Sequence, residues 1–202
     1  MGEDEITQQV VLDKALALAH QSSWEGFSLL ALAHNLNCSL GDIRMLFRSK
    51  DDMAEALFDR ADAAMLNSSS PNALPAQTSE QLLIDCIMVW FNFLTPHKKL
   101  VKEILAYKFE PGHFHLQAHG ITRVSRTVQW FILAAGRDYS GLKRIGDEIS
   151  VTSAYLLSFS FYFVDNSKQH LKTRQLLQRL LNRNRQLYHA LKAISRPLRH
   201  KK

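Results

Sequence analysis

Residues 24–53 restrict the fold of this chain more than any other stretch. Segments 28–36 and 39–47 both have helical composition, and only Asn37 and Cys38 separate them. So short a connection makes consecutive helices turn sharply, which is the pattern of a helix-turn-helix. Asn37 stands where the first helix has to end, and asparagine is the non-glycine residue that best tolerates the left-handed backbone such a turn needs. The stretch therefore predicts a helix-turn-helix.

Three serines mark the helix starts in this stretch. Ser28, Ser39 and Ser49 each precede a helical segment, where a side-chain oxygen accepts a hydrogen bond from the free N–H groups of the first turn. An aspartate follows each of the last two serines at the capping-box spacing, Asp42 and Asp52. Local signals therefore predict three successive helix starts.

These residues give the segment a resemblance to the N-terminal DNA-binding domain of the TetR family of transcriptional regulators. The family pattern reads small or hydroxyl residue, Ile-Ala, Gly-Val-Ser, Gly, Tyr, Phe, Lys-Glu and Leu. The matching positions in this sequence are Ser28, Leu32, Ala33, Asn37, Cys38, Ser39, Gly41, Phe47, Lys50, Asp51 and Met53. Two positions depart from the pattern, because Arg44 replaces the aromatic phosphate contact and Leu46 replaces the histidine that follows it.

The resemblance implies that the exposed side of segment 39–47 enters a groove of operator DNA and that residues around it lie near phosphates. Arg44 is expected to take over the phosphate contact of the aromatic residue that it replaces. The residues predicted to bind DNA are Ser28, Ser39, Leu40, Asp42, Arg44, Met45, Arg48 and Lys50.

The rest of the sequence also favours helices, and one of them is predicted at residues 120–135, where apolar side chains recur at helical spacing. Glycine and proline number only 8 and 5, and no alternating run rich in Val, Ile or Thr indicates a strand. Serines, asparagines and two prolines concentrate at residues 67–79, which predicts a domain boundary there. We therefore expect an all-α fold of about nine helices, and the resemblance makes it TetR-like. A helix-turn-helix DNA-binding domain would then occupy residues 1–66, and a helical ligand-binding and dimerisation domain residues 67–202.

Two long helices predicted at 142–164 and 168–194 carry the expected dimer interface. In the first, apolar side chains recur at alternating steps of three and four residues, which is the spacing of a helix-packing seam. TetR-like proteins dimerise through two C-terminal helices, so the resemblance implies a homodimer. The seam consists of Leu142, Ile145, Ile149, Thr152, Leu156, Phe159 and Phe163.

Aromatic side chains concentrate in the predicted second domain. Such residues most often form a core, and a minority line a ligand cavity between helices. Because the group is mostly apolar and no acidic pair faces it, we expect a small hydrophobic ligand, neutral or weakly anionic. Its binding would change DNA affinity by shifting the helix predicted at 50–66. The residues predicted to bind the ligand are Trp90, Phe91, Tyr107, Trp130 and Phe159.

Charge is distributed unevenly along the chain. Residues 1–66 contain 5 basic and 11 acidic residues, whereas residues 168–202 contain 11 basic and no acidic ones. This counts against DNA binding, because lysine and arginine on phosphates provide most of the affinity. The basic C-terminal helix either packs its leucines on the domain or lies on an anionic membrane surface, and in a third alternative residues 196–202 touch nucleic acid.

A fainter resemblance supports a second interpretation. Residues 94–97, 135–138, Tyr155 and 165–167 are similar to the TetR-fold family of lipid-binding proteins in ubiquinone biosynthesis. That resemblance implies a lipid in a hydrophobic cavity, membrane contact through residues 168–202 and no DNA binding. The DNA-binding regulator is the favoured interpretation, because the helix-turn-helix is the most specific pattern in the chain.

The sequence contains no nucleophile elbow, phosphate loop or zinc-binding helix motif, so neither an enzyme nor a cofactor is predicted. His113, His115 and His119 lie close in sequence, but the pattern favours loop histidines over a metal site, and no metal is predicted. Cysteines without metal or disulfide spacing, no signal peptide and no apolar run of about 18 residues predict a cytoplasmic protein.

Overall fold

The computed structural model describes residues 6–68, 77–109 and 114–194, without the side chains of 114–119 and 187–194. Within these ranges the chain forms α-helices and short 3-10 helices and has no strand, which confirms the all-helical prediction. The helices are α1 (Gln8–Gln21), α2 (Leu29–Asn35), α3 (Leu40–Leu46), α4 (Lys50–Ser68), α5 (Ser79–Leu94), α6 (Lys98–Lys108), α7 (Phe114–Ala134), α8 (Gly141–Tyr162) and α9 (Leu171–Ile194), with 3-10 turns at Thr95–His97 and Lys168–His170.

The chain divides into two compact units. The N-terminal unit comprises the described parts of Met1–Ala64 and Phe93–Gly120, and the C-terminal unit those of Met65–Asn92 and Ile121–Lys202. Residues 93–120 thus group with the helix-turn-helix, although they follow the predicted boundary at 67–79. The division into a DNA-binding and a ligand-binding domain stays a prediction, and residues 69–76 of that boundary lie outside the described part.

The core of the N-terminal unit comes from the apolar faces of α1, α2, α3, α4 and α6. On α1 the buried residues recur at helical spacing, which is why one face of this helix can pack while the other stays polar. The fully buried side chains include Val11, Leu12, Ala15, Leu32, Ile43, Met53 and Leu57.

The core of the C-terminal unit is aromatic. The Trp90 ring on α5 makes edge contacts with Phe131 on α7 and with Phe159 on α8, at centroid distances of 6.3 and 5.4 Å. Phe91 stacks on Tyr155 and Tyr162 at 6.0 and 5.2 Å. These edge and stacked arrangements are those that aromatic quadrupoles favour, so the core is held by specific ring geometry as well as by burial.

The start of α7 that the sequence predicts is wrong. We expected the helix to begin at residue 120, but it begins at Phe114. Gly120 lies inside the helix, where glycine costs only about 1 kcal/mol relative to alanine, so it does not have to interrupt it. Of the clustered histidines, His113 and the side chains of His115 and His119 lie outside the described part. Among the described helices, none is both long and apolar enough to cross a membrane.

Candidate DNA-binding surface and ligand-binding unit

The turn between α2 and α3 has the geometry that its sequence predicts. Asn37 adopts φ 50°, and the Cys38 N–H donates to the Ala33 carbonyl oxygen at 3.1 Å. This left-handed residue reverses the chain directly after α2, so α3 starts without a longer loop. The predicted helix-turn-helix is therefore formed.

Side-chain caps fix the beginnings of α2, α3 and α4, and at α4 the Ser49 hydroxyl oxygen accepts from the Asp52 N–H at 3.1 Å. The Ser28 hydroxyl oxygen accepts from the Ala31 N–H at 3.0 Å. Ser39 and Asp42 form a full capping box, since each side chain accepts from the backbone N–H of the other, at 3.1 and 2.8 Å. The Ser39 hydroxyl also donates to the Asp42 carboxylate, and these hydrogen bonds lower the pKa of Asp42. Ser28, Ser39 and Asp42, all predicted to bind DNA, thus have a structural role in the free protein.

The outer face of α3 combines apolar side chains with one cation. Ile43 turns into the core, whereas Leu40 is 47% exposed and Met45 is 87% exposed. Arg44 is exposed and makes no ion pair or hydrogen bond within the part of the chain that the structure describes. Leu40, Arg44 and Met45 are therefore accessible to a binding partner.

The two other predicted basic contacts already have partners inside the protein. Lys50 donates from Nζ to the carbonyl oxygens of Glu25 and Phe27 at 3.1 and 3.0 Å, and the ammonium lies 4.3 Å from the Phe27 ring centroid. Burial lowers the pKa of Lys50, with Glu25 acting in the opposite direction. The Arg48 guanidinium pairs with Asp52 at 3.2 Å. These two positively charged side chains near α3 are thus already bound to groups within the protein.

Polar contacts join α6 to Trp24 and to the beginning of α4. The Trp24 N–H donates to the Glu103 carboxylate at 2.8 Å. The Lys108 ammonium, with a side chain only 5% exposed, pairs with Asp51 at 2.5 Å and with Glu55 at 2.7 Å, both on α4. Breaking such a buried pair on one side leaves an uncompensated charge, so α6 and the start of α4 are expected to move together.

The predicted ligand residues divide into two groups. Trp90, Phe91 and Phe159 form one packed aromatic cluster in the core of the C-terminal unit. Trp130 is 41% exposed, and Tyr107 is 38% exposed and belongs to the N-terminal unit. The structure therefore brings three of the five together, and a ligand among those three would have to separate rings that now touch.

Comparisons with known proteins place this fold. No family model matches the chain, and no curated protein matches it. A TetR transcriptional regulator from Nitrosomonas europaea, known from its crystal structure, is 34% identical, with 89% of this chain and 98% of that chain covered and a TM-score of 0.77. The chain belongs to the TetR family. The predicted family and fold are both confirmed.

More distant TetR-family structures support the fold alone. A regulator from Streptomyces coelicolor is 19% identical, with a TM-score of 0.61 over 96% of this chain and 85% of that chain. FadR from Bacillus subtilis, crystallised with stearoyl-CoA, is 13% identical, with a TM-score of 0.53 over 86% of this chain and 97% of that chain.

In this TetR-family chain, α8 presents an exposed apolar face. Four residues of the predicted seam are among its accessible side chains, while Phe159 of the same seam is buried in the core. Large apolar residues at helical spacing on one exposed face mark an interaction surface. The exposed apolar side chains of α8 are Leu142, Ile145, Ile149, Leu156 and Leu157.

A charged cleft in the C-terminal unit was not predicted from the sequence. Two adjoining cavities, of about 260 and 400 Å³, share Glu80, Arg137, Tyr139 and Arg185 in their walls. We call them together the polar cleft. Its residues come from the start of α5, the α7–α8 connection, α8 and α9, so no single stretch of sequence signals it. None of the five predicted ligand residues lines either cavity.

Proposed function

We propose that this TetR-family regulator binds operator DNA through α3, acts as a homodimer, and changes its DNA affinity when a small ligand binds the C-terminal unit. The accessible face of α3 is the main support for DNA binding. Its residues Leu40, Arg44 and Met45 lie on a helix whose start and preceding turn are fixed by local hydrogen bonds. A fixed helix with free side chains is what reading of base edges requires.

Arg44→Ala tests the DNA surface. Operator sites would be selected from genomic fragments with the purified protein, and affinity measured at several salt concentrations. If Arg44 contacts a phosphate, the variant loses affinity for any DNA, and the slope of log affinity against log salt falls by about 0.9. Arg179→Ala on α9 is the matched control, since it removes the same charge from an exposed position outside the helix-turn-helix. Equal behaviour of the two variants would remove Arg44 from the interface.

The homodimer is proposed to form through the exposed apolar face of α8. A second copy is the partner that fits best, because closed pairs of identical chains are the commonest assembly and use the same patch twice. Pairing around a two-fold axis would also set two α3 helices roughly 34 Å apart, matching successive turns of a DNA groove.

Ligand response is proposed to involve α4 and the aromatic cluster. Helix α4 starts next to α3 and continues beyond Ala64 into the C-terminal unit, so a ligand that favours one position of its far end also affects its start. A ligand shifts the equilibrium only by the difference in its affinity for the two states. For the usual range of coupling this is about 1–3 kcal/mol. Undiminished potency of a DNA-displacing ligand on Phe159→Leu would place its site away from the aromatic cluster, and the same result on Trp130→Ala would place it away from the exposed Trp130.

A second candidate function is lipid binding without DNA binding, as in the ubiquinone-biosynthesis family. The local use of Arg48 and Lys50 favours it, because little positive charge is left beside α3 for phosphates. Against it, Leu177 and Leu181 of α9 are buried in the domain, so these two leucines are not available to a membrane. Lipid in the purified protein together with no selectable operator would favour the second function.

A further inference from the structure

The polar cleft has an unusual balance of charge. Arg185 pairs with Glu80 at 3.0 Å, and Arg137 pairs with Asp147 at 3.0 Å. Lys143 on α8 has no carboxylate partner within the part of the chain that the structure describes. Its ammonium lies 3.5 Å from the centroid of the Tyr139 ring. With both carboxylates matched by arginines, the cleft retains one positive charge.

Two buried polar atoms of this cleft lack hydrogen-bond partners. The Arg137 side chain uses Nη1 on Asp147, but its Nε–H donor is unsatisfied, and the Asp147 Oδ2 acceptor is unsatisfied as well. Both side chains are only 13% exposed. Burial raises the pKa of Asp147 despite the opposing effects of Arg137 and Lys143. Buried polar groups are almost always paired, so this donor and this acceptor can each still take a hydrogen-bond partner.

The position of these groups is fixed by the backbone. Gly136 and Gly141 take positive φ values of 65° and 59° at the two ends of the α7–α8 connection, which only glycine adopts at low cost. The connection between them carries Arg137 and Tyr139 into the wall of the cleft. The cleft is therefore part of the folded framework.

We infer that the polar cleft binds a small hydroxycarboxylate. Both unpaired atoms have almost no accessible surface, so the Arg137 and Asp147 side chains would have to shift on binding. The carboxylate of such a molecule would then accept from the Arg137 Nε–H and compensate the Lys143 charge, and its hydroxyl would donate to Asp147 Oδ2. Leu181 and the Tyr139 ring provide apolar contact for the carbon skeleton. The smaller cavity, which contains Lys143 and Asp147 in its wall, has about 260 Å³ and lies just below the roughly 300–1,000 Å³ of pockets for drug-sized ligands, which favours a small molecule over a long acyl chain.

This inference goes beyond the proposed function, because it concerns a site apart from α3 and the aromatic cluster, and binding there is measured without DNA. Calorimetric titration of the full chain would use 3-hydroxybutyrate and 4-hydroxybenzoate as probes. Butyrate and benzoate are matched controls that lack only the hydroxyl, and inorganic phosphate is the control for simple anion binding. We expect at least one hydroxy acid to bind roughly tenfold more tightly than its matched acid, because the latter leaves the Asp147 acceptor unpaired.

The variants Lys143→Gln and Arg144→Gln test whether the hydroxy acid binds in the polar cleft. Both remove one positive charge from adjacent exposed positions of α8, but only Lys143 lines the cleft. We expect Lys143→Gln to weaken binding of the hydroxy acid several-fold and Arg144→Gln to leave it unchanged. Three results would overturn the inference: no binding of either hydroxy acid at millimolar concentration, tighter binding of phosphate, or equal weakening by the two substitutions. None of them depends on whether the protein binds an operator.

Discussion

Asp165 connects the end of α8 to the start of α9 through an unusually well satisfied carboxylate. Ser167 and Thr173 each donate twice to it, from the backbone N–H and from the hydroxyl, at distances of 2.7–2.8 Å. Burial alone would raise the pKa of Asp165, but these four hydrogen bonds outweigh it and lower the pKa well below its usual value. The charged form is therefore the one that the fold stabilises.

Asp165→Ala is expected to lower the free energy of unfolding by about 1.5–3 kcal/mol at neutral pH, because buried donors lose a charged acceptor. A carboxyl whose pKa is lowered by folding contributes stability above its unfolded pKa of about 3.9 and loses it as the pH falls further. The difference between wild type and variant should therefore shrink below about pH 4. Urea denaturation across pH measures it, with Asp138→Ala, an exposed carboxylate of the α7–α8 connection, as control.

A histidine pair in the N-terminal unit predicts a second pH effect. His20 Nε2 and His97 Nδ1 share a hydrogen bond of 2.9 Å. Burial lowers the pKa of His97 most, His20 and Arg60 lower it further, and Asp13 opposes them. The folded state thus binds this proton less readily than the unfolded chain does.

Stability should therefore be fully present above about pH 6.5, the ordinary histidine pKa, and should fall as the pH is lowered through it. Thermal melting between pH 7.5 and pH 5.5, values chosen around that pKa of about 6.5, measures the effect. His97→Gln is expected to flatten the profile, and His34→Gln, at an exposed position of α2, to leave it unchanged. A wild-type profile as flat as that of His97→Gln would contradict the assignment.

At the scale of the element, the side chains on the accessible face of α3 lead us to predict that the protein recognises thymine methyl groups in its operator. Its accessible residues Leu40 and Met45 are apolar, and the Asp42 carboxylate is occupied by the capping box. Apolar side chains in the major groove contact the 5-methyl group of thymine. Exchange of a contacted thymine for uracil should cost about 0.8 kcal/mol, or roughly fourfold in affinity.

The matched test exchanges each thymine of a selected operator for uracil and compares wild type with Met45→Ala. At a thymine that Met45 contacts, the exchange for uracil should lower the affinity of wild type and leave the affinity of Met45→Ala unchanged. If every thymine exchange has the same effect on both proteins, Met45 contacts no methyl group. The measurement is a fluorescence anisotropy titration at constant salt.

The same elements show which parts of the structure a sequence can specify. Ser28, Ser39 and Asn37 act on neighbours within a few residues, so the helix starts and the turn at 37–38 followed from local rules and were confirmed. The start of α7 did not follow, because Gly120 is compatible with either a helix end or a helix interior. Only the packing of the unit decides between the two, and a single sequence does not contain it.

At the scale of the whole molecule, local sequence rules do not predict sites that are built from distant segments. Glu80, Arg137 and Arg185 meet in the polar cleft although more than a hundred residues separate the first from the last. In sequence, each has the appearance of an ordinary exposed charge. For the aromatic residues the difficulty is different, because aromatic side chains are equally typical of a core and of a cavity wall. Trp90 and Phe91 prove to be packed in the core.

The last prediction concerns assembly through the exposed apolar face of α8. Ile149 lies near the middle of this face, so Ile149→Glu would place a carboxylate in the centre of the proposed dimer interface, where an unpaired buried charge is strongly unfavourable. We expect wild type to sediment as a dimer at micromolar concentration and the variant as a folded monomer with unchanged helical circular dichroism. Operator affinity should fall by at least about 100-fold, because two half-sites are no longer bound together.

Gln175→Glu on α9 introduces the same charge at an exposed position off this face and should change neither quantity. A monomeric wild type would contradict the homodimer itself. A variant that remains dimeric would place the interface on another surface of the protein. If Ile149→Glu is monomeric but keeps full operator affinity, each α3 reads its half-site independently, and the two-fold arrangement is not what provides the affinity.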